Sequence, residues 1–569
     1  MRFFPVLCVF LLASVRSFCQ SVPITPTTSA APSKEAGTIS GTVFRADTGE
    51  PLKKARVTLD DRGAETVYVV YVTDEQGHFA FENVPPGSYR LNVSRNGFVD
   101  AEYGQTRPGA AGAVLTLAAG QSMTDLVFKL ARAGAVSGHV FDEDGEPVAK
   151  ASIIFYRASK RPGKEQRNDD QPVLTNDLGA YRIFDLVPGR YYVAVNYRSE
   201  DWLPHPSPAA NQKIDTGYLP SCYPNTTDSA RAQAISVGPG DEIGSVDFFL
   251  RPSLVVTVSG KVINTTAMPP NSSGRVRLEP RGSGLVDAVQ NLSDDFRGKD
   301  GSFAIRNVPP RSYNLVASWT EPETREWHIA RRPLDVGDSD VNGVTITISS
   351  GVDILGHVTW EEGSSPKDLE RVVVQFEPLG EEPFMLPGQG VKANGTFRFK
   401  NVPEGSYRAI VVPRGANFFL KSVRCGTLTV TDNGFTVQAG SEATLELTVS
   451  NRAAKLDGVV LNANSLPAVG AAVVLIPGPP HRDIKYRYMA ATTDQNGVFS
   501  ITGITPGDHK ILSWDSIDEA DEEYGEDWYD AEWLKPYEGK GESVHLEEAD
   551  RKSLNLKVIP SGGESSAAN

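Results

Sequence analysis

Between Ser88 and Ser94 the chain reads SYRLNVS, so that Tyr89, Leu91 and Val93 alternate with Ser88, Arg90, Asn92 and Ser94. A period of two predicts a strand with one apolar and one wet face. FAF (79–81) predicts a second short strand of the same kind, and VPPG between them reads as a turn. Proline presets a turn-compatible φ there, and glycine accepts positive φ without steric cost. The Asp and Gly just upstream predict the preceding turn. The unit is strand, turn, strand, with the tyrosine ring buried and its hydroxyl bonded at a sheet corner.

This unit recurs five times. The copies are TDEQGHFAFENVPPGSYRLNV (73–93), TNDLGAYRIFDLVPGRYYVAV (175–195), GKDGSFAIRNVPPRSYNLVA (298–317), VKANGTFRFKNVPEGSYRAIV (391–411) and TTDQNGVFSITGITPGDHKIL (492–512). A turn glycine (Gly77, Gly179, Gly301, Gly395, Gly497) stands two places before an aromatic (Phe79, Tyr181, Phe303, Phe397, Phe499). Ten places after that glycine comes a second one at Gly87, Gly189, Gly405 and Gly507, with Arg311 as the departure. Tyr89, Tyr191, Tyr313, Tyr407 or His509 follows. No acid–base pair, nucleophile or metal ligand holds a fixed place across the copies, so the repeat reads as a folding device.

Each copy is preceded by a strand pattern, as in GTISGTVF (37–44) and GAVSGHVF (134–141). The first four are closed by a glycine turn and an alternating strand, as in GQSMTDLVFKL (120–130), while the fifth closes less tidily with SLNLKVI (553–559). These borders predict an all-β chain of five tandem Ig-like antiparallel β-sandwiches, beads on a string, at 37–131, 132–251, 252–350, 351–450 and 451–560. Each is long enough to bury its own core. Residues 20–36 read as a flexible leader and 561–569 as a loose tail.

SGTVFRADTGEPLKKARVTL (40–59) followed by the first copy resembles the carboxypeptidase regulatory-like domain family, a transthyretin-like or starch-binding-like Ig-type sandwich. SGHVFDEDGEPVAKASIIF (137–155) and LDGVVLNANSLPAVGAAVVLIP (456–477) match equally well, whereas the third and fourth domains match more weakly at their starts. The resemblance implies non-catalytic modules, some appended to peptidases or outer-membrane receptors, and a fold class often credited with carbohydrate binding. The residues of two better-defined relatives are missing. A zinc carboxypeptidase needs His-x-x-Glu and a distant third histidine, and His545–Glu548 has none after it. Isopeptide-forming pilin modules need a buried acid beside their Lys–Asn pair, and the strands after the corner tyrosines carry none.

The chain has 569 residues, 71 acidic against 56 basic, and a formal charge of −15. No basic stripe occurs, which argues against nucleic acid and anionic membrane surfaces. MRFFPVLCVFLLASVRSFC (1–19) predicts a cleavable secretory signal, too short to stay as a spanning helix. Its removal, with Arg2 and Arg16, leaves 54 basic residues and a charge of −17. It also leaves two cysteines, Cys222 and Cys425, which make no disulfide framework. Export to the periplasm, the cell surface or the medium is the expectation.

Motifs for nucleophilic, metal or phosphate chemistry do not occur, the eight histidines are scattered singly, and no cofactor is expected. DSDVNG (338–343) mimics a calcium loop, but its twelfth place is Ser349 and it aligns with the turn before every closing strand. The richest candidate stretch is 514–542, where Trp514, Tyr524, Trp528, Tyr529 and Trp533 stand among acids that include Asp527. The second domain carries a long insertion at the same place, with Trp202 and Tyr218. Aromatic faces with flanking carboxylates suit a sugar ring. The same aromatics could instead staple a long loop onto the sandwich, with the acids facing water or binding a divalent cation. The expectation is a non-catalytic envelope protein for binding or display, with a glycan as ligand. Protein docking to a peptidase or receptor, or a plain spacer, are the alternatives.

Overall fold

The computed structural model describes residues 36–560 except 62–67, 111, 159–165, 168–171, 198–215, 267, 282–291, 324–325, 362–371, 381–385, 413–416, 439–442 and 516–533. The expected signal, leader and tail lie outside the described residues. Those described are strands and turns with a few short 3₁₀ segments, arranged as Ig-like sandwiches in tandem.

In the first domain the strand Gly37–Arg45 is the middle of a three-stranded sheet. It runs antiparallel to His78–Val84 and parallel to the closing strand Ser122–Leu130. Its burial alternates residue by residue, as its sequence requires of a one-sided strand. The facing sheet places Arg56–Asp61 between Tyr68–Val72 and Gly87–Ser94, with Leu115–Leu117 on the far side of Gly87–Ser94. The same two-sheet plan recurs with Gly134–Phe141, Val256–Asn264, Val352–Trp360 and Ala454–Leu461 as the middle strands. Five large apolar clusters result, each confined to one pair of sheets.

The repeated phrase carries the chain from one sheet to the other. The turn glycines Gly77, Gly179, Gly301, Gly395 and Gly497 all have φ between 69° and 83°. Each lends its carbonyl to the middle strand, for example from Val262 N–H at 2.8 Å and Val460 N–H at 2.8 Å. Six places later Asn83, Asp185, Asn307, Asn401 and Gly503 also take positive φ. Asn and Asp tolerate that left-handed kink better than other side chains. The corner tyrosine then folds back: Tyr89, Tyr191, Tyr313 and Tyr407 donate to the carbonyl four residues earlier at 2.6–3.0 Å. In the fifth copy His509 Nε2 meets Thr505 O at 2.8 Å.

At three junctions only three residues (131–133, 349–351, 451–453) separate a closing strand from the next middle strand. Contacts brace the last two of these junctions. Arg487 pairs with Asp432 at 2.7 Å, Glu548 bridges Lys421 and Arg452, and Glu326 holds Asn401 at 2.7 Å. Cys222 is buried in the second domain and Cys425 half-buried in the fourth, with no disulfide between them.

Candidate functional site

The aromatic candidates separate by position. Trp514 ends the strand Gly507–Trp514 and is 2 % exposed, packed with Val474, Ile476, Tyr488 and Leu534. Tyr537 meets it edge-on at 5.4 Å. Its faces are therefore spent on packing, and it staples the return of the chain onto the sandwich. Tyr524, Asp527, Trp528, Tyr529, Trp533 and Trp202 lie outside the described residues. Tyr218 sits in a different domain, on a short strand paired with Pro252–Leu254, and donates to the Glu143 carboxylate. Burial, reinforced by Glu143, holds its phenol well above the usual range, so it stays a donor. The two described candidates, Trp514 and Tyr218, lie in different domains.

The calcium-like loop is a turn in fact. Asp340 accepts from Thr257 N–H at 2.8 Å and Asn342 from the Ser259 hydroxyl at 2.7 Å. His545 pairs with Asp508 at 2.7 Å, while Glu548 reaches across to the fourth domain.

A site the sequence reading did not single out lies where the third and fourth domains meet. Two ten-residue strands, Arg311–Thr320 and Trp327–Val336, form a long hairpin in the third domain. Beside it a cleft of about 330 Å³ opens between Arg277, Glu279, Arg331 and His328 on one side and Glu404 and Tyr407 on the other. Glu279 takes both guanidinium groups, Arg277 at 2.7 Å and Arg331 closer still, which leaves one net positive charge on that wall, balanced by Glu404 across the cleft. A polar cleft whose charges balance in this way suits hydrogen-bonding partners better than an anion.

At the hairpin tip Glu321, Glu326 and His328 put their ligating atoms within 4.8 Å of one another. His328 is 7 % exposed and stacks on Trp319, its cross-strand partner, at 4.8 Å and 8°. Its Nδ1 is buried and makes no hydrogen bond. Burial draws the imidazole below its usual pKa, against the opposing pull of Glu321 and Glu326. The Glu326 carboxylate also accepts from Asn401 Nδ2 at 2.7 Å and pairs with Lys400, both from the fourth domain. The signal lay in Glu-x₄-Glu-x-His spanning a turn, which becomes legible only once the hairpin register is known.

Residues 38–131 match the carboxypeptidase regulatory-like domain family. The match covers the first domain, and the other four repeat its strand order. The human BOS complex subunits NOMO1 and NOMO2 are each 22% identical to it over 489 residues. That match covers 81% of this chain and 34% and 33% of theirs, so the chain spans about a third of the length of the curated relatives it matches. Among solved structures, the minor pilin GBS52 of Streptococcus agalactiae is 12% identical at a TM-score of 0.21, covering 38% of this chain and 98% of that one. The major pilin BcpA of Bacillus cereus is 11% identical at 0.14, covering 75% and 99%. At those scores neither adds to the assignment. No helix among the described residues is long and apolar enough to cross a membrane.

Proposed function

We propose that this chain is a non-catalytic scaffold, exported to the cell envelope, that docks another protein on a row of sandwiches held at fixed angles. The observation that carries this reading is the bracing of the junctions. Arg487, 10% exposed along its side chain, is tied to Asp432 of the preceding domain, and Glu326 of the third domain is tied to Asn401 of the fourth. Independent glycan modules gain from flexible linkage, which lets each find its ligand. A surface that must match one partner gains from rigidity, because less freedom is lost on binding. The relatives named as subunits of a complex are in keeping with this.

The test is crosslinking of the intact chain in its native envelope, followed by mass spectrometry. One protein retained in fixed stoichiometry, with crosslinks on neighbouring domains, is the expected result. A chain recovered alone that binds a polysaccharide would overturn it. Carbohydrate binding is the second reading, favoured by the density of aromatic and acidic residues between Trp514 and Glu542 in the sequence. It expects glycan-array binding that is lost in Trp528→Ala and Trp533→Ala.

A further inference from the structure

We propose that Glu321, Glu326 and His328 form a binding site for a divalent transition-metal ion of the zinc class, and that Lys400 of the next domain competes with the ion for Glu326. The inference does not depend on the docking reading.

The hairpin makes the site. Thr320 pairs with Trp327, and Glu321 N–H donates to Glu326 O at 2.8 Å, so the two glutamates stand opposite each other at its end. Trp319 and His328 form the neighbouring cross-strand row. Residues two apart share a strand face, so Trp319 and Glu321 on one strand look the same way as His328 and Glu326 on the other. Two carboxylates and an imidazole therefore converge by register alone. Bonds of about 2.0–2.2 Å to one tetrahedral ion put ligand atoms about 3.5 Å apart, so closure from within 4.8 Å needs shifts of up to about 1 Å, which carboxylate rotation can supply.

The imidazole is the second, independent sign. It is more than nine-tenths buried, its ring is oriented by Trp319, and its Nδ1 has no hydrogen-bond partner. A buried nitrogen without a partner is uncommon unless water or an ion completes it. Burial favours the neutral ring, which is the form that binds metal. The mixed oxygen and nitrogen set selects a borderline ion such as Zn²⁺, Co²⁺ or Mn²⁺, with water filling the remaining positions. Calcium prefers oxygen ligands alone.

Lys400 shows what occupies the carboxylates without an ion. Its ammonium pairs with Glu326, and with 44% of its side chain exposed it can swing into solvent. Metal entry would thus exchange one contact across the third–fourth junction for an ion held by the third domain alone.

The test is calorimetric titration of the untagged, chelator-treated full chain with Zn²⁺, supported by the visible absorption of bound Co²⁺. Wild type should bind one more ion than the triple variant Glu321→Gln, Glu326→Gln, His328→Gln. Circular dichroism checks that this variant is folded. Lys400→Ala leaves all three ligands in place and should tighten binding by up to about fivefold, the worth of an exposed ion pair. Equal uptake by wild type and triple variant, or no change in Lys400→Ala, overturns the proposal.

Discussion

The Tyr313 hydroxyl donates to the carbonyl of Pro309, four residues earlier, at 2.8 Å in an environment closed to water. The bond ties the strand Arg311–Thr320 to the turn that delivers it from the opposite sheet. Tyr313→Phe keeps the ring and leaves a carbonyl without its donor, which costs about 1–3 kcal/mol. A five-domain chain has no single unfolding free energy, so the measurement is native-state hydrogen exchange. Amides of 311–320 should lose protection while those of the fifth domain keep theirs.

The two glycines of the repeat are not equivalent, although their spacing treats them alike. Gly301 has φ +69°, and a Cβ there would lie 2.1 Å from Val262 O. Gly301→Ala should cost at least about 1–2 kcal/mol through backbone strain alone, with the clash added. A Cβ on Gly87 meets nothing nearer than the Tyr89 hydroxyl at 3.3 Å. Arg311 already fills that place in the third copy. Gly87→Ala should be neutral to within about 0.5 kcal/mol. Native-state hydrogen exchange of the third domain in one variant and of the first in the other checks the contrast, and equal losses of protection would refute it.

Much of the fold was legible because its determinants are local. The turn glycines, the alternating strands and the corner tyrosines each occupy a few consecutive residues and recur, so the chain supplies its own alignment. The left-handed kink at Asn83, Asp185, Asn307 and Asn401 was equally local, but it hides inside a phrase that reads simply as a turn. Trp514 misled for a different reason. Its strand is covered on both faces, with Ile511 in the sandwich core and Leu512 and Trp514 under the segment around Leu534. Only knowledge of that covering segment distinguishes a buried tryptophan from an open one. Glu321, Glu326 and His328 needed the hairpin register, and the Asp432–Arg487 pair needed the angle between two domains. Neither is written in any local pattern.

Asp432 holds that angle together with the Glu548 pairs to Lys421 and Arg452. It accepts from Arg487 at 2.7 Å, and the Tyr486 hydroxyl stands at 3.4 Å and His481 Nδ1 at 3.5 Å. Asp432→Asn leaves the largely enclosed Arg487 guanidinium without its counter-charge, at a cost of about 1.5–3 kcal/mol. The expected outcome is faster proteolytic cleavage at 451–453, with strand protection inside both domains unchanged. Cleavage at the wild-type rate would show that the junction is held by other contacts.

Acid should loosen the fifth domain before it affects the carboxylates. His509 and His481 both have pKa values lowered by burial, with Arg487 reinforcing the effect and Asp508 or Asp432 opposing it. Their unfolded pKa is about 6.5, so below that pH the unfolded chain binds protons that the folded domain refuses. Stability is full above about 6.5 and falls as pH drops through 6.5 toward the folded values. Asp457 and Asp550 are shifted below 3.8, so the stability they contribute is intact across this range and is lost only at much lower pH. Melting of the fifth domain should therefore decline between pH 7 and pH 5, about the range where histidines titrate. His509→Tyr, the residue of the other four copies, should flatten the slope. An unchanged slope would remove His509 from the account.

The first and last domains meet. Gln495 Nε2 donates to Thr116 O at 2.7 Å and its Oε1 accepts from Thr116 N–H at 3.1 Å. The strand Leu115–Leu117 is paired on one side with Gly87–Ser94, and the Gln495 amide saturates Thr116 on its open edge. Gly104 presses on Val469 nearby, where a Cβ would come within 2.9 Å of its Cγ1. Sandwiches strung in a straight line would hold residues 116 and 495 far apart, so the array must curve back on itself. Small-angle scattering should then give a radius of gyration nearer the roughly 25 Å of a compact body of this size than that of a straight file. Gln495→Glu replaces the donor with a carboxylate facing Thr116 O and should raise the radius. An elongated profile, the same in wild type and variant, would show that the two ends do not hold each other in solution.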